Sequence, residues 1–390
     1  MSGNGSGSGG RGGRSALTSH LRLARSEGVG PVGYRRLLSR FGGPEAALAA
    51  LPGLARAAGR AAFTLPSQSA IEDEIAATSR IGGRFLMPHM AEYPELLREL
   101  ADPPPALAIL GDHRHCAGRL VGVVGSRNAS LNGQHIASDI ARGLAEAGVG
   151  VVSGMARGID GAAHLAALAV PGGITIAAVA GGLDKPYPSQ HADLQARIAE
   201  RGVVMTEAPF GTEPQARHFP RRNRLIAGLS LGVVVVEAAR QSGSLITARL
   251  ALEAGREVFA VPGSPLDPRA QGANDLIRQG APLVENAADI LAQLRDNEER
   301  MLPPVPAPGW SGELAEEPAP SLTEAREIRA AVLSVLGPAP TSVDDLLRHC
   351  QFTTRTALVA TLLDLELGGF VETLPGNRVA RLADRGGERA

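Results

Sequence analysis

The chain has 390 residues, of which 44% are hydrophobic and 20% are charged. This is enough apolar material for about two to three packed domains, so wholesale disorder is excluded. Its 39 basic and 40 acidic residues leave a formal charge of −1, so a nucleic-acid or membrane surface would have to come from local charge. Two cysteines cannot form a disulfide framework, and no apolar run reaches the roughly 18 residues of a membrane span. We therefore expect a soluble, cytoplasmic protein without a membrane partner.

The first part of the chain predicts a tail followed by helices. Residues 1–14 are rich in glycine and serine and predict a disordered tail. Residues 15–105 show helical apolar spacing and predict a helical domain. Within it the tight turn Gly28–Pro31 resembles a helix-hairpin-helix, in which backbone amides can meet a DNA phosphate. An ordinary glycine-capped connection between helices is equally consistent with this turn.

The central part, residues 106–295, alternates short apolar runs with amphipathic stretches. The runs are Leu120–Val124, Val149–Ser153, Ile174–Ala180, Val203–Glu207, Val233–Glu237 and Val258–Val261. Continuous valine- and isoleucine-rich strands separated by helices are typical of a parallel sheet covered on both faces. The predicted fold class is therefore doubly wound α/β, and such sheets bind ligands at the carboxyl ends of their strands.

The last part predicts a linker and a small DNA-binding-type domain. Residues 296–321 are rich in proline and predict a linker. Residues 322–384 give three apolar-periodic helices and a hairpin with Pro375-Gly376-Asn377 at its tip, which indicates a winged helix, and residues 385–390 form a tail. From residue 321 onward eight arginines face nine acidic residues, so the charge leaves open whether this domain contacts DNA or protein.

The chemistry available at the strand ends is phosphate binding. Loops after five of the predicted strands carry glycine, serine, arginine, asparagine and the single lysine of the chain, Lys185. Glycine allows backbone amides to approach an anion closely, and helix amino termini add a positive dipole. Residues 201–250 contain seven arginines and three glutamates, a local charge of 7 − 3 = +4. Arginines at a helix start oppose the helix dipole, which favours an anionic ligand there.

No catalytic, metal-binding or cofactor-binding pattern stands out. Ser153, Asp160 and His164 do not have the spacing of a nucleophile elbow, and Asp112–Cys116 lacks a distant partner ligand. Neither a Walker A sequence nor a dinucleotide fingerprint follows the first strand. The sequence therefore predicts no catalytic residues, no metal and no cofactor.

Five motifs resemble one family. GSRNAS, SGMARGIDGAAH, GGLDKPYP, HFPRRNRLIAGLS and QSGSLITARLALEAGREVFAVPG, in this order, are similar to the DNA processing protein A (DprA/Smf) family. The helical N-terminal region, similar to a sterile alpha motif, and the winged helix agree with it. The resemblance implies an extended Rossmann-like domain that forms a homodimer and binds single-stranded DNA. It also implies protection of incoming strands in natural transformation and recombination, and loading of the RecA recombinase.

The residues and the resemblance together define a candidate DNA site. We expect Arg127 and Lys185 to contact phosphates, and Tyr187 either to stack on a base or simply to pack in its turn. The remaining members would offer amides, hydroxyls, an amide side chain or guanidinium groups to the strand. The predicted DNA-binding residues are Ser126, Arg127, Gly154, Lys185, Tyr187, Arg222, Asn223, Arg224, Gly243 and Ser244.

Two other functions are compatible with parts of the sequence. One is a nucleotide-processing Rossmann-like enzyme of the phosphoribohydrolase kind, which would need a P-G-G-x-G-T motif. Here the corresponding helix start, Ser242–Thr247, lacks the paired glycines. The other is a transcription regulator in which the winged helix reads duplex DNA.

Overall fold

The computed structural model describes residues 9–57, 63–300, 322–350, 353–367, 369–374 and 378–382. The chain divides into two compact units. The first contains Met1–Asp73, Ala101–Pro105 and Val305–Ala390, and the second contains Glu74–Leu100 and Ala106–Pro304.

The chain begins with helices. They are α1 (Gly9–Ala24), α2 (Pro31–Phe41), α3 (Pro44–Ala57) and α4 (Gln68–Arg80). The first three pack around Leu23, Tyr34, Leu37 and Leu51, all at most 4% exposed. Since α1 already begins at Gly9, the predicted tail is wrong for residues 9–14, where the helix extends back through glycines that propensity disfavours. Residues 1–8 of that predicted tail lie outside the described residues.

An eight-stranded sheet forms the second unit. Its strands are β1 (Arg84–Leu86), β2 (Leu107–Gly111), β3 (Leu120–Gly125), β4 (Gly150–Ser153), β5 (Thr175–Ala178), β6 (Val203–Thr206), β7 (Gly232–Val236) and β8 (Glu257–Ala260). The order across the sheet is β1-β2-β6-β5-β4-β3-β7-β8. All pairings from β6 to β8 are parallel, as the apolar runs predicted.

Two strands at one edge correct the prediction. β1 pairs antiparallel with β2, and β2 pairs antiparallel with β6, so the sheet is mixed and not purely parallel. β1 lies within the segment predicted to be helical. Its three residues are too few to show an alternating pattern, yet Phe85 and Leu86 are buried, at 5% and 2% exposed.

Helices cover both faces of the sheet. They are α5 (Glu95–Arg98), α6 (Leu131–Glu146), α7 (Ile159–Ala169), α8 (Ala192–Arg201), α9 (His218–Leu229), α10 (Gly243–Glu253), α11 (Gln271–Arg278) and α12 (Ala287–Arg300). Within β7, Val233 and Val235 pack into the core shared with α9 and α10, while Val234 and Val236 pack toward α6 and α7. The doubly wound fold follows from this two-sided burial. The predicted linker is wrong for residues 296–300, because α12 continues to Arg300.

The winged helix belongs to the first unit. It consists of α13 (Leu322–Val335), β9 (Thr341–Ser342), α14 (Val343–His349), α15 (Arg355–Leu367), β10 (Val371–Leu374) and β11 (Arg378–Arg381). The antiparallel pair β10–β11 confirms the predicted hairpin, and β9, which was not predicted, pairs with β11. Ser342 caps α14 by accepting a hydrogen bond from the Asp345 nitrogen at 3.0 Å. The predicted hairpin tip, the remainder of the predicted linker and the C-terminal tail lie outside the described residues.

Candidate nucleic-acid interface

The carboxyl ends of four neighbouring strands bring several predicted residues to one edge of the sheet. β6, β5, β4 and β3 lie side by side, so the loops that follow them share that edge. These loops carry Ser126 and Arg127 after β3, Gly154 after β4, and Lys185 and Tyr187 after β5.

The loop after β3 is held by the loop after β4. The Ile159 nitrogen donates a hydrogen bond to the Ser126 carbonyl oxygen at 3.2 Å. Gly158 has a φ of 74°, and an added Cβ there would lie 2.3 Å from that carbonyl oxygen. Only glycine fits this position. The contact fixes the backbone beside Arg127, whose side chain stays exposed.

Phe219, in the first turn of α9, gathers side chains from three elements. The guanidinium carbon of Arg127 lies 4.7 Å from the Phe219 ring centroid, and that of Arg222 lies 5.7 Å from it. The Tyr187 ring lies 5.7 Å away, centroid to centroid, at an interplanar angle of 56°. Cations held against an aromatic ring are attracted by its quadrupole. We call Arg127, Tyr187, Phe219 and Arg222 the strand-end cluster.

Arg222 is the buried member of this cluster, at 6% exposed. Its Nη1 donates to the Ala178 carbonyl oxygen at 3.1 Å, while its Nε has no hydrogen-bond partner in the described part of the chain. Burial lowers the pKa of Arg222 to about 10 and the nearby Asp160 carboxylate opposes this shift, so the guanidinium is charged at neutral pH. An added Cβ on Gly154 would lie 1.6 Å from Nη1, so Gly154 makes room for Arg222.

Asp160 balances part of this buried charge. Its carboxylate accepts a hydrogen bond from the Ala156 nitrogen at 3.3 Å. Burial raises the pKa of the Asp160 carboxyl, and the charge of Arg222 acts in the opposite direction. Asp160 is thus part of the support beneath the strand-end cluster.

Lys185 and Tyr187 lie on the loop after β5. The Lys185 Nζ lies 2.9 Å from Glu213 Oε1, and this hydrogen bond raises the pKa of Lys185. Its side chain is 37% exposed and that of its partner 70% exposed, so the pair lies in solvent and a phosphate can compete for the ammonium. Tyr187 is 49% exposed, which leaves one part of its ring open beside Phe219.

Three other predicted site residues make contacts within the protein. Arg224 is 4% exposed, and its Nη2 donates to the Glu207 carboxylate. Asn223 Nδ2 donates to the Gly243 carbonyl oxygen at 3.2 Å. The Ser244 hydroxyl is buried against Ser242, with 2.6 Å between the two oxygens. Each of these side chains has a protein partner and is at most 8% exposed.

Glu207 explains why Arg224 points inward. Burial pushes the pKa of the Glu207 carboxyl upward, but the charges of Arg224 and Arg221 outweigh this and hold the pKa below its usual value. Arg221 Nε donates to the second carboxylate oxygen at 2.8 Å. Gly243, at the start of α10, is exposed, and nothing lies within 4 Å of the position of an added Cβ.

Sequence reasoning missed two residues at this edge. Phe219 stands inside a motif singled out for its arginines, and the signal was an aromatic side chain directly before that arginine cluster. Arg157, in the loop after β4, is exposed. Neither Arg127 nor Arg157 forms an ion pair with a carboxylate of the described residues. The edge therefore presents two arginines and an aromatic group to solvent.

Comparison with known proteins shows which family the chain belongs to. Residues 84–295 match the family model of the DNA recombination-mediator protein A. The chain belongs to this family. Residues 15–77 match the DprA-like N-terminal HHH domain, which supports the helix-hairpin-helix interpretation of the first turn. Residues 316–377 match the DprA winged helix domain.

Individual relatives are similar over large parts of the chain. Protein Smf of Synechocystis is 38% identical over 329 residues, covering 76% of this chain and 80% of the relative. The DNA processing protein DprA of Bacillus subtilis is 44% identical over 204 residues, 52% of this chain and 68% of the relative. The crystal structure of DNA processing protein A from Streptococcus pneumoniae aligns at a TM-score of 0.59 and 34% identity, covering 71% of this chain and 97% of that one.

The predicted membership of the DprA/Smf family is confirmed, and with it the DNA-processing class of function. Within the ranges that the structure describes, none of the helices is long and apolar enough to cross a bilayer.

Proposed function

We propose that the strand-end cluster binds single-stranded DNA. In this proposal the protein protects incoming strands and helps to load the RecA recombinase during natural transformation and recombination. It acts as a cytoplasmic homodimer and as a binding protein without a catalytic step or a cofactor.

The convergence on Phe219 carries the proposal. Arg127, Arg222 and Tyr187 come from three separate elements and meet at one ring. Single-strand binders combine a cationic surface for the backbone with aromatic side chains on which unpaired bases stack. A duplex keeps its bases stacked inside and offers no free base face to a ring. Arginine beside an accessible aromatic pair therefore favours the single strand.

Arg127 is an exposed phosphate contact in this proposal. Its backbone is fixed by Gly158, its side chain is exposed, and it forms no ion pair with a carboxylate in the described ranges. Lys185 lies on the neighbouring loop and exchanges Glu213 for a phosphate. Arg222, which is buried and charged, contacts the Phe219 ring and supports its position.

The test is fluorescence-anisotropy binding of an oligothymidylate and of a duplex of equal length, at two salt concentrations. We expect a preference for the single strand, with an affinity that falls by a log–log slope of roughly −0.7 per phosphate neutralised. Arg127→Ala and Lys185→Ala should each weaken this binding. Arg142→Ala removes a half-exposed arginine on α6 that pairs with Asp139, and it serves as the matched control.

Duplex preference, or equal affinities for the wild type and both site variants, would contradict the proposal. Circular dichroism of each variant separates loss of binding from loss of fold. The loading step is tested separately. Purified RecA is added to the complex, and its ATPase activity is measured on strands coated with single-strand-binding protein.

A further inference from the structure

A pocket that the proposed function does not use lies at the carboxyl ends of β7 and β8. In the sheet, β3 has β4 on one side and β7 on the other, so the order of the strands reverses between β3 and β7. Open α/β sheets bind ligands at such a switch point. Here the start of α6 and the loops after β7 and β8 enclose a cavity of about 220 Å³, which we call the switch-point pocket. Its lining includes Ser130, Ile136, Val236, Glu237, Val261 and Asp267.

The size of the switch-point pocket limits what it can hold. Pockets for drug-sized ligands measure roughly 300–1,000 Å³. A cavity of about 220 Å³ is smaller, so it suits one side chain or one base and not a whole dinucleotide. Ile136, Val236 and Val261 give it apolar walls, against which the stem of a long side chain can pack.

Glu237 is held in this pocket by the start of α6. Its φ of 50° lies in the left-handed region, which side chains other than glycine rarely adopt. Glu237 Oε2 accepts a hydrogen bond from the Ser130 nitrogen at 2.8 Å, and Oε1 accepts one from the Ser130 hydroxyl. A Cβ on Gly133 would lie 2.4 Å from Glu237 Cδ, so glycine makes room for the carboxylate. Strained backbone that is held by its surroundings in this way is typical of functional sites.

The Glu237 carboxylate can accept further hydrogen bonds. A carboxylate has about four acceptor sites, and Ser130 uses one on each oxygen. Glu237 forms no ion pair with a side chain that the structure describes. The other carboxylate of the pocket, Asp267, is already paired, because Arg269 donates to both of its oxygens, at 3.0 and 2.8 Å. Two oxygens of one carboxylate that both remain able to accept match the planar fork of a guanidinium.

Two exposed leucines flank the switch-point pocket. Leu131 directly follows Ser130, and Leu266 directly precedes Asp267. They are 84% and 91% exposed, compared with 60% for Leu252 on α10. A ligand confined to the cavity would leave both leucines in water, whereas a larger partner can cover them. Apolar side chains around a charged anchor are typical of the centre of a protein–protein contact.

We propose that the switch-point pocket binds an arginine of a partner protein, in a segment where apolar residues flank that arginine. The guanidinium pairs with both oxygens of Glu237, and its methylene stem packs against the apolar walls. The flanking residues of the partner cover Leu131 and Leu266. The negative charge of Glu237 disfavours a phosphate backbone here, so the pocket is not part of the DNA site. This inference does not rest on the proposed function, because it uses other residues and another class of ligand.

The test uses the full chain and a leucine-arginine-leucine peptide that is blocked at both ends. Its binding is titrated by ligand-observed NMR and compared with that of a peptide in which citrulline, a neutral side chain of the same shape, replaces arginine. Guanosine is the third ligand, since guanine also offers paired N–H groups to a carboxylate.

Two variants separate the anchor from its surroundings. Glu237→Gln removes the charge, and its control is Glu146→Gln, which removes an exposed carboxylate of the same helix α6 that Glu237 contacts. Leu131→Ser with Leu266→Ser removes the apolar flank at exposed positions. Its control is Ile81→Ser with Leu165→Ser, two other exposed apolar side chains. Circular dichroism reports the fold of each variant, and the leucine variant keeps the test decisive if Glu237→Gln does not fold.

We expect the arginine peptide to bind at least about tenfold more tightly than the citrulline peptide. Glu237→Gln should remove this difference, because the charge-assisted pair is lost. The leucine variant should weaken binding of the arginine peptide at least about threefold, while both controls bind like the wild type. Arg127→Ala should leave peptide binding unchanged, and the leucine variant should leave oligothymidylate binding unchanged.

Several results would overturn the proposal. Absence of peptide binding, or equal affinities for the arginine and citrulline peptides, would show that Glu237 is not an anchor for a guanidinium. Unchanged peptide affinity in the leucine variant would exclude Leu131 and Leu266 from the contact. Tighter binding of guanosine than of the arginine peptide would make the pocket a base site. A lower molecular mass of the leucine variant than of its control, measured by light scattering, would show that a second copy of the chain covers this surface.

Discussion

The strand-end cluster and helix α2 both present arginines, but the surroundings of these arginines differ. Arg127 lies over Phe219 with no carboxylate of the described residues in ion-pair reach. Arg40 lies 3.9 Å from Asp364, and the half-buried Arg36 lies near Glu366. The difference teaches that an arginine-rich motif does not by itself mark an open binding surface. An arginine is available to an anionic ligand only when its guanidinium is not already paired with a carboxylate of the protein.

The largest expected effect is on stability, and it comes from removing a buried carboxylate that is paired with an arginine. Glu207→Ala leaves Arg224 buried without its partner and removes a partner of Arg221. Breaking a buried ion pair from one side typically costs about 3–5 kcal/mol, so the free energy of unfolding should fall by that amount. Urea denaturation followed by circular dichroism measures it. Glu253→Ala, which removes a carboxylate paired with the exposed Arg249, is the control and should change stability by less than about 1 kcal/mol. A similar small loss for both variants would show that Glu207 is not a structural anchor.

The next effect concerns the aromatic member of the open cluster. Phe219→Leu keeps an apolar side chain in the first turn of α9 but removes the ring that Arg127, Arg222 and Tyr187 share. Loss of a stacking ring costs about 1–3 kcal/mol per base, so single-strand affinity should fall roughly 5- to 150-fold. Phe219→Tyr keeps the ring and should retain most of the affinity. If leucine binds as well as tyrosine in the anisotropy titration, Phe219 serves packing only.

A buried histidine extends the comparison to a titratable group whose ionised form has no charged partner to stabilise it. His164 is fully buried, with Nδ1 2.7 Å from Thr175 Oγ1, and burial lowers its pKa to about 3. It is neutral in the folded protein, whereas the unfolded chain takes up a proton near pH 6.5. Stability from this group is therefore complete above that pH and declines as the pH falls toward the folded pKa. The decline should be about 1.4 kcal/mol between about pH 7.5 and 5.5.

Urea titrations at several pH values measure this decline. His164→Gln should flatten it, while His135→Gln, at an exposed position of α6, should leave it unchanged. An unchanged slope in His164→Gln would assign the pH dependence to other groups.

Much of the fold could be predicted because burial determines it. Val233–Val236 are apolar at every position, which requires cover on both faces and so indicates a central parallel strand. β1 could not be predicted, since three residues do not display a period and its pairing with β2 is a tertiary contact. The helix at Gly9 was missed because glycine propensity argued against it.

For the candidate site, the sequence predicts which loops contribute but not which of their side chains face the site. Arg222 and Arg224 are two positions apart on α9, which rotates their side chains by about 200° relative to each other. One therefore faces Phe219 and the other faces Glu207, but the sequence alone does not reveal which. Arg221 and Arg224, three apart, share a helix face and the same carboxylate. The position of Glu207 at the end of a neighbouring strand decides the outcome, and that neighbourhood exists only in the folded sheet.

The smallest effect concerns Lys185, an exposed cation of the loop after β5 that is paired with Glu213. Glu213→Gln removes the carboxylate 2.9 Å from its Nζ while keeping a side chain of the same size. Surface pairs are weak, so single-strand affinity should rise by no more than about twofold, with a slightly steeper salt dependence because the ammonium then neutralises phosphate alone. The same substitution in a Lys185→Ala chain should have no effect. An equal rise in that chain would mean that Glu213 repels DNA directly, and an unchanged affinity in both would mean that Lys185 does not reach the strand. Either result would leave Arg127 as the phosphate contact and narrow the site to the side chains around Phe219.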